Sequence, residues 1–317
     1  MNQEFQKIVT HKKGEEYDVA VMYSGGKDSS YLIYLLKEVY HLRVVAVMVD
    51  NGFEHDYTWE PMSRFPKEMG VPLRIIKPDK RMFVQLYRML VMDHQYFHRN
   101  GVNHVCFICN NLLWCSVAKY ASEHGIPYIA SGLSLAQLSS GRSKPLEPDA
   151  MANAIAERST RMIYKNAVAG MKQTQIFNED EEFRSFVLSA EKAIKQVTTV
   201  YPYIYHSVSI DEQKDTLVKL NWQPPSLSGI EKYISSGCKI MKGLIYELEK
   251  LGIITLNERE QAKVMMQNGL MDSSNTKFAT YDASKDVVNV NGDIIKEMDL
   301  RDFLIEQCRK EGREYIG

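Results

Sequence analysis

The chain has 317 residues, of which 44% are hydrophobic, with a formal net charge of −1 and a sequence pI of about 6.7. A chain of this size can bury a complete core, in one large α/β domain with an extension. The near-neutral charge excludes a basic surface over the whole molecule, of the kind that binds nucleic acid, and leaves room for a local basic patch.

Neither the start of the chain nor any later segment resembles a membrane or export signal. The first residues lack the apolar core of a signal peptide, and no apolar run reaches the length of a membrane span. The chain has five cysteines, an odd number, and without a secretion signal these favour reactive or metal-binding roles over disulfides. We therefore expect a cytoplasmic protein that does not cross a membrane.

The first half of the chain alternates between strand and helix patterns, after a polar lead-in at residues 1–16. Alternation of this kind predicts an α/β domain over residues 17–148, with a doubly wound parallel sheet covered by helices on both faces. Ligands of such sheets bind beyond the carboxyl ends of the strands. The predicted strands are 18–23, 44–49, 73–77 and 127–131, and the predicted helices are 28–40, 57–69, 81–93 and 110–124.

The first predicted strand and helix are joined by the segment YSGGKDSS, residues 23–30. A strand, a tight turn and a helix start bring backbone N–H groups without helical partners to one point, where the helix dipole also favours an anion. Gly25 and Gly26 let a ligand approach the backbone closely. Lys27 adds a positive charge, and the serines add hydroxyl donors. The segment is therefore predicted to bind phosphate.

This segment differs from the mononucleotide loop G-x-x-x-x-G-K-S/T. It instead resembles the SGGxDS signature of the PP-loop superfamily, the N-type ATP pyrophosphatases, whose fold is adenine nucleotide alpha hydrolase-like. The acidic turn Asp50-Asn51-Gly52 after the second predicted strand is also usual there, and the resemblance covers about residues 17–145. It implies cleavage of ATP between its α- and β-phosphates, transfer of AMP to a carbonyl-type oxygen, and displacement of AMP by nitrogen or sulfur.

The resemblance also implies how ATP and Mg²⁺ are bound. Asp28 is either a Mg²⁺ ligand or a helix-start carboxylate, and Asp50 either contacts the ribose or the metal or is a turn residue. Met48 offers its backbone to adenine while its side chain lies in the core. Gln137, in the loop after Gly132, closes over ATP. The predicted nucleotide site comprises Tyr23, Ser24, Gly25, Gly26, Lys27, Asp28, Ser29, Met48, Asp50, Gly132 and Gln137, with Lys27 and Asp28 also catalytic.

The second informative motif is Cys106-Phe-Ile-Cys109, which precedes the predicted helix at 110–124. Two thiolates at this spacing can hold one metal or cluster from a helix start, where the N-terminal field lowers the thiol pKa. Cys238 is the natural third ligand. Cys115 is predicted to lie on a different helix face, and Cys308 is predicted to be a buried apolar residue. Zinc, a redox dithiol and plainly buried cysteines remain alternatives to a cluster.

Cys106, Cys109 and Cys238 resemble the ligand set of PP-loop tRNA thiolation enzymes, which carry a C-x-x-C pair and one later cysteine. That resemblance implies a [4Fe-4S] cluster with one open iron that holds sulfide for transfer, and makes Cys106 and Cys109 catalytic. Two features of those enzymes are missing: a Gly-His followed by an Asp pair, where this chain has GLSLAQ at 132–137, and zinc-binding cysteine pairs ahead of Cys106.

Residues 149–317 are predicted to form a mainly helical C-terminal region that contributes to the substrate and cluster sites. Predicted helices cover 151–169, 181–196 and 242–251, an extended aromatic segment covers 201–207, and a turn covers 222–225. One helix carries a basic face that is either simply solvated or contacts phosphate or RNA: Arg158, Arg161, Lys165 and Lys172.

These features together predict an AMP-forming transferase that uses ATP and replaces a carbonyl-type oxygen with sulfur. The alternatives are an ammonia-using amidotransferase of surface-polysaccharide synthesis, an adenylylsulfate-type reductase with Cys308 as its reactive cysteine, and an ATP-binding regulatory module. The expected partners are a small-molecule or nucleotide-sugar substrate and a sulfur or ammonia donor protein, in a chain that forms a homodimer. The charge does not favour tRNA.

Overall fold

The computed structural model describes residues 16–92, 105–133, 168–206, 208–223, 238–245 and 291–310, with residues 10, 248, 312, 314 and 315. Several predictions lie outside these residues, namely most of the helix at 151–169 and the side chains of Gln137, Arg158, Arg161 and Lys165. The side chain of Cys106 is likewise not described, although its backbone is.

The described strands form one five-stranded sheet in which every neighbouring pair is parallel. The strand order is β3-β2-β1-β4-β5, so the chain builds outward from β1 in both directions. This arrangement confirms the predicted fold class, a doubly wound parallel α/β sheet. The strands are β1 Val19–Met22, β2 Val44–Val49, β3 Leu73–Ile76, β4 Tyr128–Ala130 and β5 Thr198–Val200.

The central strands are apolar because the sheet is covered on both faces. β2 reads VVAVMV and its first five side chains are all buried. β1 and β2 pair with Val19 opposite Val44, and β1 and β4 pair with Val19 opposite Tyr128. This register places the carboxyl ends of the three strands at the same edge of the sheet, where the chain then enters its functional loops.

The described helices agree with the prediction in number and order through the first half of the chain, with one shift. α4 begins at Val105, five residues before the predicted start, so Cys106 and Cys109 lie within the helix rather than ahead of it. α1 continues as a π-helical turn, Leu35–Val39. The helices are α1 Lys27–Tyr34, α2 Asp56–Glu68, α3 Lys80–Met92, α4 Val105–Glu123, α5 Gln175–Glu179, α6 Glu181–Ile194, α7 Ile210–Lys219, α8 Asn291–Glu297 and α9 Arg301–Lys310.

The described residues after 148 are mainly helical, as predicted, except at the sheet. β5 extends the sheet beyond β4, with Ala130 opposite Val200, and no strand was predicted there. Residues 202–204, predicted to be extended, instead form a 3₁₀ turn that begins with Pro202. Proline fixes its own φ near the helical value, which suits the first position of such a turn. The sheet therefore continues past the boundary predicted at residue 148.

One buried cluster joins α3, α4 and α6 with the C-terminal helices α8 and α9. A second cluster joins α1 and α2 to the other face of the sheet. Helix α6 packs along α4, which carries the cysteine motif, so residues after 148 share a core with those before it. None of the described helices has the length and hydropathy needed to cross a membrane.

Val187 and Val218 offer a matched test of this shared core. Val187 lies on α6 with none of its surface exposed, whereas Val218 on α7 is 59% exposed. We expect Val187→Ala to lower the free energy of unfolding by about 2 kcal/mol, because it removes buried apolar surface and leaves a cavity. Val218→Ala should change it by less than about 0.5 kcal/mol. Urea denaturation measures both, and equal effects would contradict the assignment of α6 to the core.

Candidate active site

The candidate site lies where the strand order changes direction, between β1 and β4. The chain leaves β1 through residues 23–26 into α1, and leaves β4 through Ser131 and Gly132. A Cβ atom at Gly132 would lie 3.2 Å from the carbonyl carbon of Asp28. The absence of a side chain at Gly132 therefore lets the end of β4 pack directly against the first turn of α1.

The serine hydroxyls of the predicted phosphate loop hold the loop itself together. The Ser24 amide donates to Ser29 Oγ at 3.2 Å, and Ser29 Oγ donates to the Gly26 carbonyl at 3.1 Å. Ser30 Oγ donates to the Gly25 carbonyl at 3.3 Å. In this structure the hydroxyls of Ser29 and Ser30 stabilise the backbone of the loop, and the role of the serines as ligand donors stays a prediction.

The two glycines of the loop have different roles. Gly25 has φ +74, in the left-handed region, and a Cβ there would lie 2.1 Å from Cγ of the buried Met62. Gly26 precedes the first residue of α1 with φ −68, and the nearest contact to a Cβ there is Ser24 Oγ at 3.5 Å. Gly25 is therefore required by conformation and space, whereas Gly26 is not.

Two aromatic side chains from beyond β5 fix the carbonyl groups of the loop. Trp222 Nε1 donates to the Gly25 carbonyl at 3.1 Å, and the Tyr203 hydroxyl donates to the Asp28 carbonyl at 2.5 Å. Burial raises the pKa of Tyr203 well above its usual value, so its hydroxyl keeps the proton that it donates. Neither Tyr203 nor Trp222 was predicted to belong to the site. The only signal in the sequence was the residue type, since the polar atom of a buried Tyr or Trp usually finds a hydrogen-bond partner.

The N-terminus of α1 has the features that suit an anion. Within the described residues no side chain caps this helix, so its first-turn N–H groups and dipole face the loop. Lys27 Nζ lies 2.5 Å from Asp28 Oδ1 and 3.4 Å from Oε1 of the buried Gln213 on α7. The Lys27 side chain is 12% exposed. Its charge is thus held beside the helix start.

Asp50 follows β2 at the same edge of the sheet. Its Oδ1 accepts a hydrogen bond from the Gly52 amide at 2.8 Å, which makes it a turn residue, and its Oδ2 lies 3.4 Å from Lys77 Nζ. The Met48 side chain is buried in the core, as predicted. The loop after β1 and the turn after β2 therefore lie at the ends of adjacent strands.

The side chain of Asn51, in the same turn, lies near the described cysteines. Asn51 Nδ2 lies 3.2 Å from the Tyr87 hydroxyl and 3.8 Å from Cys238 Sγ, and the Tyr87 hydroxyl lies 2.8 Å from Cys109 Sγ. Cys238 reaches this position through an antiparallel bridge with Glu54. The structure thus brings Cys109 and Cys238 to one small hydrogen-bonded network, although they are far apart in the chain.

The expected low pKa at the cysteine motif is wrong for Cys109. Burial raises the pKa of this thiol to about 11, while hydrogen bonds from Tyr87 and Asn51 act in the opposite direction. Cys109 lies inside α4 rather than at its first residue, so the cost of burying a thiolate outweighs the helix field. A bound metal ion would reverse this balance, because coordination deprotonates a thiol outright.

The other described cysteines are interior residues. Cys115 on α4 is fully buried, and burial raises its pKa to about 12. Cys308 on α9 is buried, as predicted. Among the side chains that the structure describes, no group of three His, Cys, Asp or Glu residues is arranged to hold a metal ion. Of the predicted basic face, the described residue Lys172 pairs with Glu191 at 2.7 Å.

Residues 17–118 match the model of a family of unknown function, DUF7411. An uncharacterized protein of Methanocaldococcus jannaschii is 28% identical over 134 residues, which is 42% of this chain and 44% of that protein. A probable sulfurtransferase of the same organism is 26% identical over 123 residues, 37% of this chain and 36% of that protein. Each match spans less than half the length of these relatives.

Two solved structures are also similar. The U34-tRNA thiolase NcsA of Methanococcus maripaludis, with its [4Fe-4S] cluster, aligns over 88% of this chain and 87% of its own, with 16% identity and a TM-score of 0.39. The NH₃-dependent NAD synthetase of Campylobacter jejuni aligns over 66% of this chain and 99% of its own, with 13% identity and a TM-score of 0.30. The fold class therefore rests on the strand order of this chain itself.

The contrast between the two loop glycines gives a direct test of the site geometry. We expect Gly25→Ala to lower the free energy of unfolding by about 2 kcal/mol, because the new Cβ meets Met62 and the left-handed backbone disfavours a side chain. Gly26→Ala should cost less than about 1 kcal/mol, since its backbone suits any residue. Thermal and urea unfolding measure both variants. A Gly26 variant that is less stable than the Gly25 variant would contradict this loop conformation.

Proposed function

We propose that this protein is an ATP-using, AMP-forming transferase whose phosphate loop is residues 23–29. The observation that carries the proposal is the N-terminus of α1, where uncapped N–H groups, Lys27 and the glycine turn meet at the switch point of the sheet. Such a position is suited to an anion and to the charge that develops on a leaving phosphate.

In the proposed reaction the substrate's carbonyl-type oxygen attacks the α-phosphorus of ATP. A bond forms between that oxygen and the α-phosphorus, and the bond from the α-phosphorus to the bridging oxygen breaks, with its electron pair leaving on pyrophosphate. The N–H groups of the first turn and Lys27 stabilise the pyrophosphate charge. Asp28, in the first turn of α1, and Asp50, directly after β2, are the carboxylates proposed to bind Mg²⁺, which prefers oxygen ligands. Met48, Gly132 and Gln137 are proposed to complete the nucleotide site.

We propose sulfur as the atom that displaces AMP from the activated carbon. Two observations support it: Cys109 and Cys238 share one hydrogen-bonded network beside the turn after β2, and a probable sulfurtransferase is among the similar proteins. The sulfur comes from a donor protein or sulfide, and the acceptor is a small molecule or nucleotide sugar, because the net charge of −1 does not favour tRNA.

The cysteine residues fit a thiolate-bound metal centre. Both described sulfurs are close to hydrogen-bond donors, as sulfur ligands usually are. Cys106 lies one helical turn before Cys109 on α4, so the pair can lie on one side of the helix. We propose that Cys106, Cys109 and Cys238 hold a [4Fe-4S] cluster, with Zn²⁺ as the alternative. When bound, such a cluster with one open iron supplies a binding position for sulfide.

Nitrogen remains the alternative to sulfur, in an amidotransferase that takes ammonia from a partner protein. The alternative predicts the same adenylation step and the same loop, and it differs in needing no iron. Metal content therefore separates the two versions, whereas pyrophosphate release tests what they share.

Lys27 tests the adenylation step. We expect Lys27→Ala to lower the rate of pyrophosphate release from ATP by about 10²- to 10³-fold, because it removes one preorganised positive group from the leaving phosphate. Lys67→Ala is the matched control, since Lys67 is exposed on α2. A coupled pyrophosphate assay over nucleobases, nucleotide sugars and tRNA provides the measurement. Release of ADP and orthophosphate by the unmodified protein would exclude the proposed reaction.

The cysteines test the sulfur step. We expect anaerobically purified protein to be brown, with sulfur-to-iron charge-transfer absorbance. Cys106→Ala and Cys238→Ala should each lower the bound iron without unfolding the chain, because each removes one proposed ligand. Cys308→Ala is the control, since Cys308 is buried on α9 away from the network. Full iron content in both ligand variants would show that the assignment is wrong, and a colourless protein without iron would favour nitrogen.

A further inference from the structure

Two polar side chains, Asn51 and Tyr87, lie inside the hydrophobic cluster that surrounds Cys109. Asn51 is 5% exposed and Tyr87 is 1% exposed. Tyr87 is packed against the rings of Phe53 and Phe83, with ring centroids 5.6 and 6.1 Å away. Burying an amide and a hydroxyl in such surroundings costs free energy unless both are hydrogen-bonded. The hydrogen-bond partners of Asn51 and Tyr87 therefore indicate the role of these two side chains.

The orientation of the Asn51 amide is fixed by its own turn. Asn51 Oδ1 accepts a hydrogen bond from the Phe53 amide at 2.9 Å, in a local turn that this residue type favours. The oxygen is therefore committed to the backbone, and the NH₂ group points the other way. Its Nδ2 lies 3.2 Å from the Tyr87 hydroxyl and 3.8 Å from Cys238 Sγ.

The direction of the remaining bonds follows from the donor inventory. The Asn51 NH₂ group can only donate, so the Tyr87 oxygen accepts from it. A Cys109 thiolate has no proton to give, so with the sulfur deprotonated the Tyr87 hydroxyl is the donor across the 2.8 Å to Cys109 Sγ. Asn51 also donates to Cys238 Sγ. With both cysteines deprotonated, both sulfurs are hydrogen-bond acceptors in this network.

We infer that Asn51 and Tyr87 are positioning residues that orient Cys109 and Cys238 and stabilise negative charge on their sulfurs. The inference rests on the proposed function, because metal-bound cysteines are thiolates and carry the negative charge that these donors would stabilise. Hydrogen bonds to ligand sulfur withdraw electron density and so raise the reduction potential of an iron–sulfur centre. Asn51 and Tyr87 thus adjust the electron density on the sulfurs as well as their position.

The location of Asn51 links the proposed nucleotide site to the cysteine network. Asp50 and Asn51 are consecutive in the turn after β2. The Gly52 amide donates to the Asp50 side chain, and the Phe53 amide donates to the Asn51 side chain. One turn therefore orients a carboxylate on the nucleotide side and an amide on the sulfur side. A change in the turn is expected to affect both.

The test uses Tyr87→Phe in the full chain, reconstituted anaerobically with iron and sulfide. This variant keeps the ring and its packing while removing the proton donated to Cys109. We expect it to bind as much iron as the unaltered protein, and the midpoint potential to shift to a more negative value. Asn51→Ser, whose hydroxyl can still accept from the Phe53 amide and which lacks the NH₂ group, should shift it in the same direction without adding a charge. Tyr120→Phe, on the same helix as Cys109, is the matched control and should leave the potential unchanged.

The outcomes separate this inference from the proposed function. Full iron content with an unshifted potential in both variants would overturn the role of Asn51 and Tyr87 and leave the proposed ligands standing. An unaltered protein that takes up no iron would overturn the proposed ligands and this inference together. Pyrophosphate release by the unaltered and Tyr87→Phe preparations reports separately on the adenylation step, because Tyr87 lies on α3, outside the turn that carries Asp50.

Discussion

The site depends on a backbone held in one conformation by groups that are distant in sequence. The carbonyl of Gly25 accepts from Trp222, and the carbonyl of Asp28 accepts from Tyr203, so the loop's acceptors are directed into the protein. The N–H groups at the start of α1 have no side-chain cap within the described part of the chain, which leaves them for an anion. Because the ordering is complete before a ligand arrives, binding does not have to supply that conformational free energy.

The parallel sheet explains why the proposed phosphate site and the proposed sulfur site begin at the same edge. β1 and β2 are neighbours, so the loop after one and the turn after the other begin at the same edge. The loop leads to Lys27, and the turn leads through Asn51 to Cys109 and Cys238. The proposed reaction requires carbonyl activation and delivery of a nucleophile at one carbon atom, and adjacent strand ends are suited to that arrangement.

The parts of the structure that depend on local sequence could be predicted, and those that depend on distant contacts could not. Strands β1 to β4 and the phosphate loop follow from apolar runs and from the Gly25-Gly26 turn. The third cysteine was predicted by resemblance, because only the tertiary structure brings residue 238 to α4. The roles of Trp222 and Tyr203 depend on where the chain after β5 packs, and neither residue belongs to a motif. The pKa of Cys109 was predicted in the wrong direction because burial cannot be seen in a C-x-x-C spacing.

The most direct test of the account is a crystal structure with a non-hydrolysable ATP analogue and Mg²⁺. The account predicts that the β- and γ-phosphates lie against the N–H groups of residues 25–29, with Lys27 Nζ in contact and the α-phosphorus open toward the turn after β2. A triphosphate bound elsewhere on the molecule, or bound at this edge with its γ-phosphate toward the acceptor position, would contradict it.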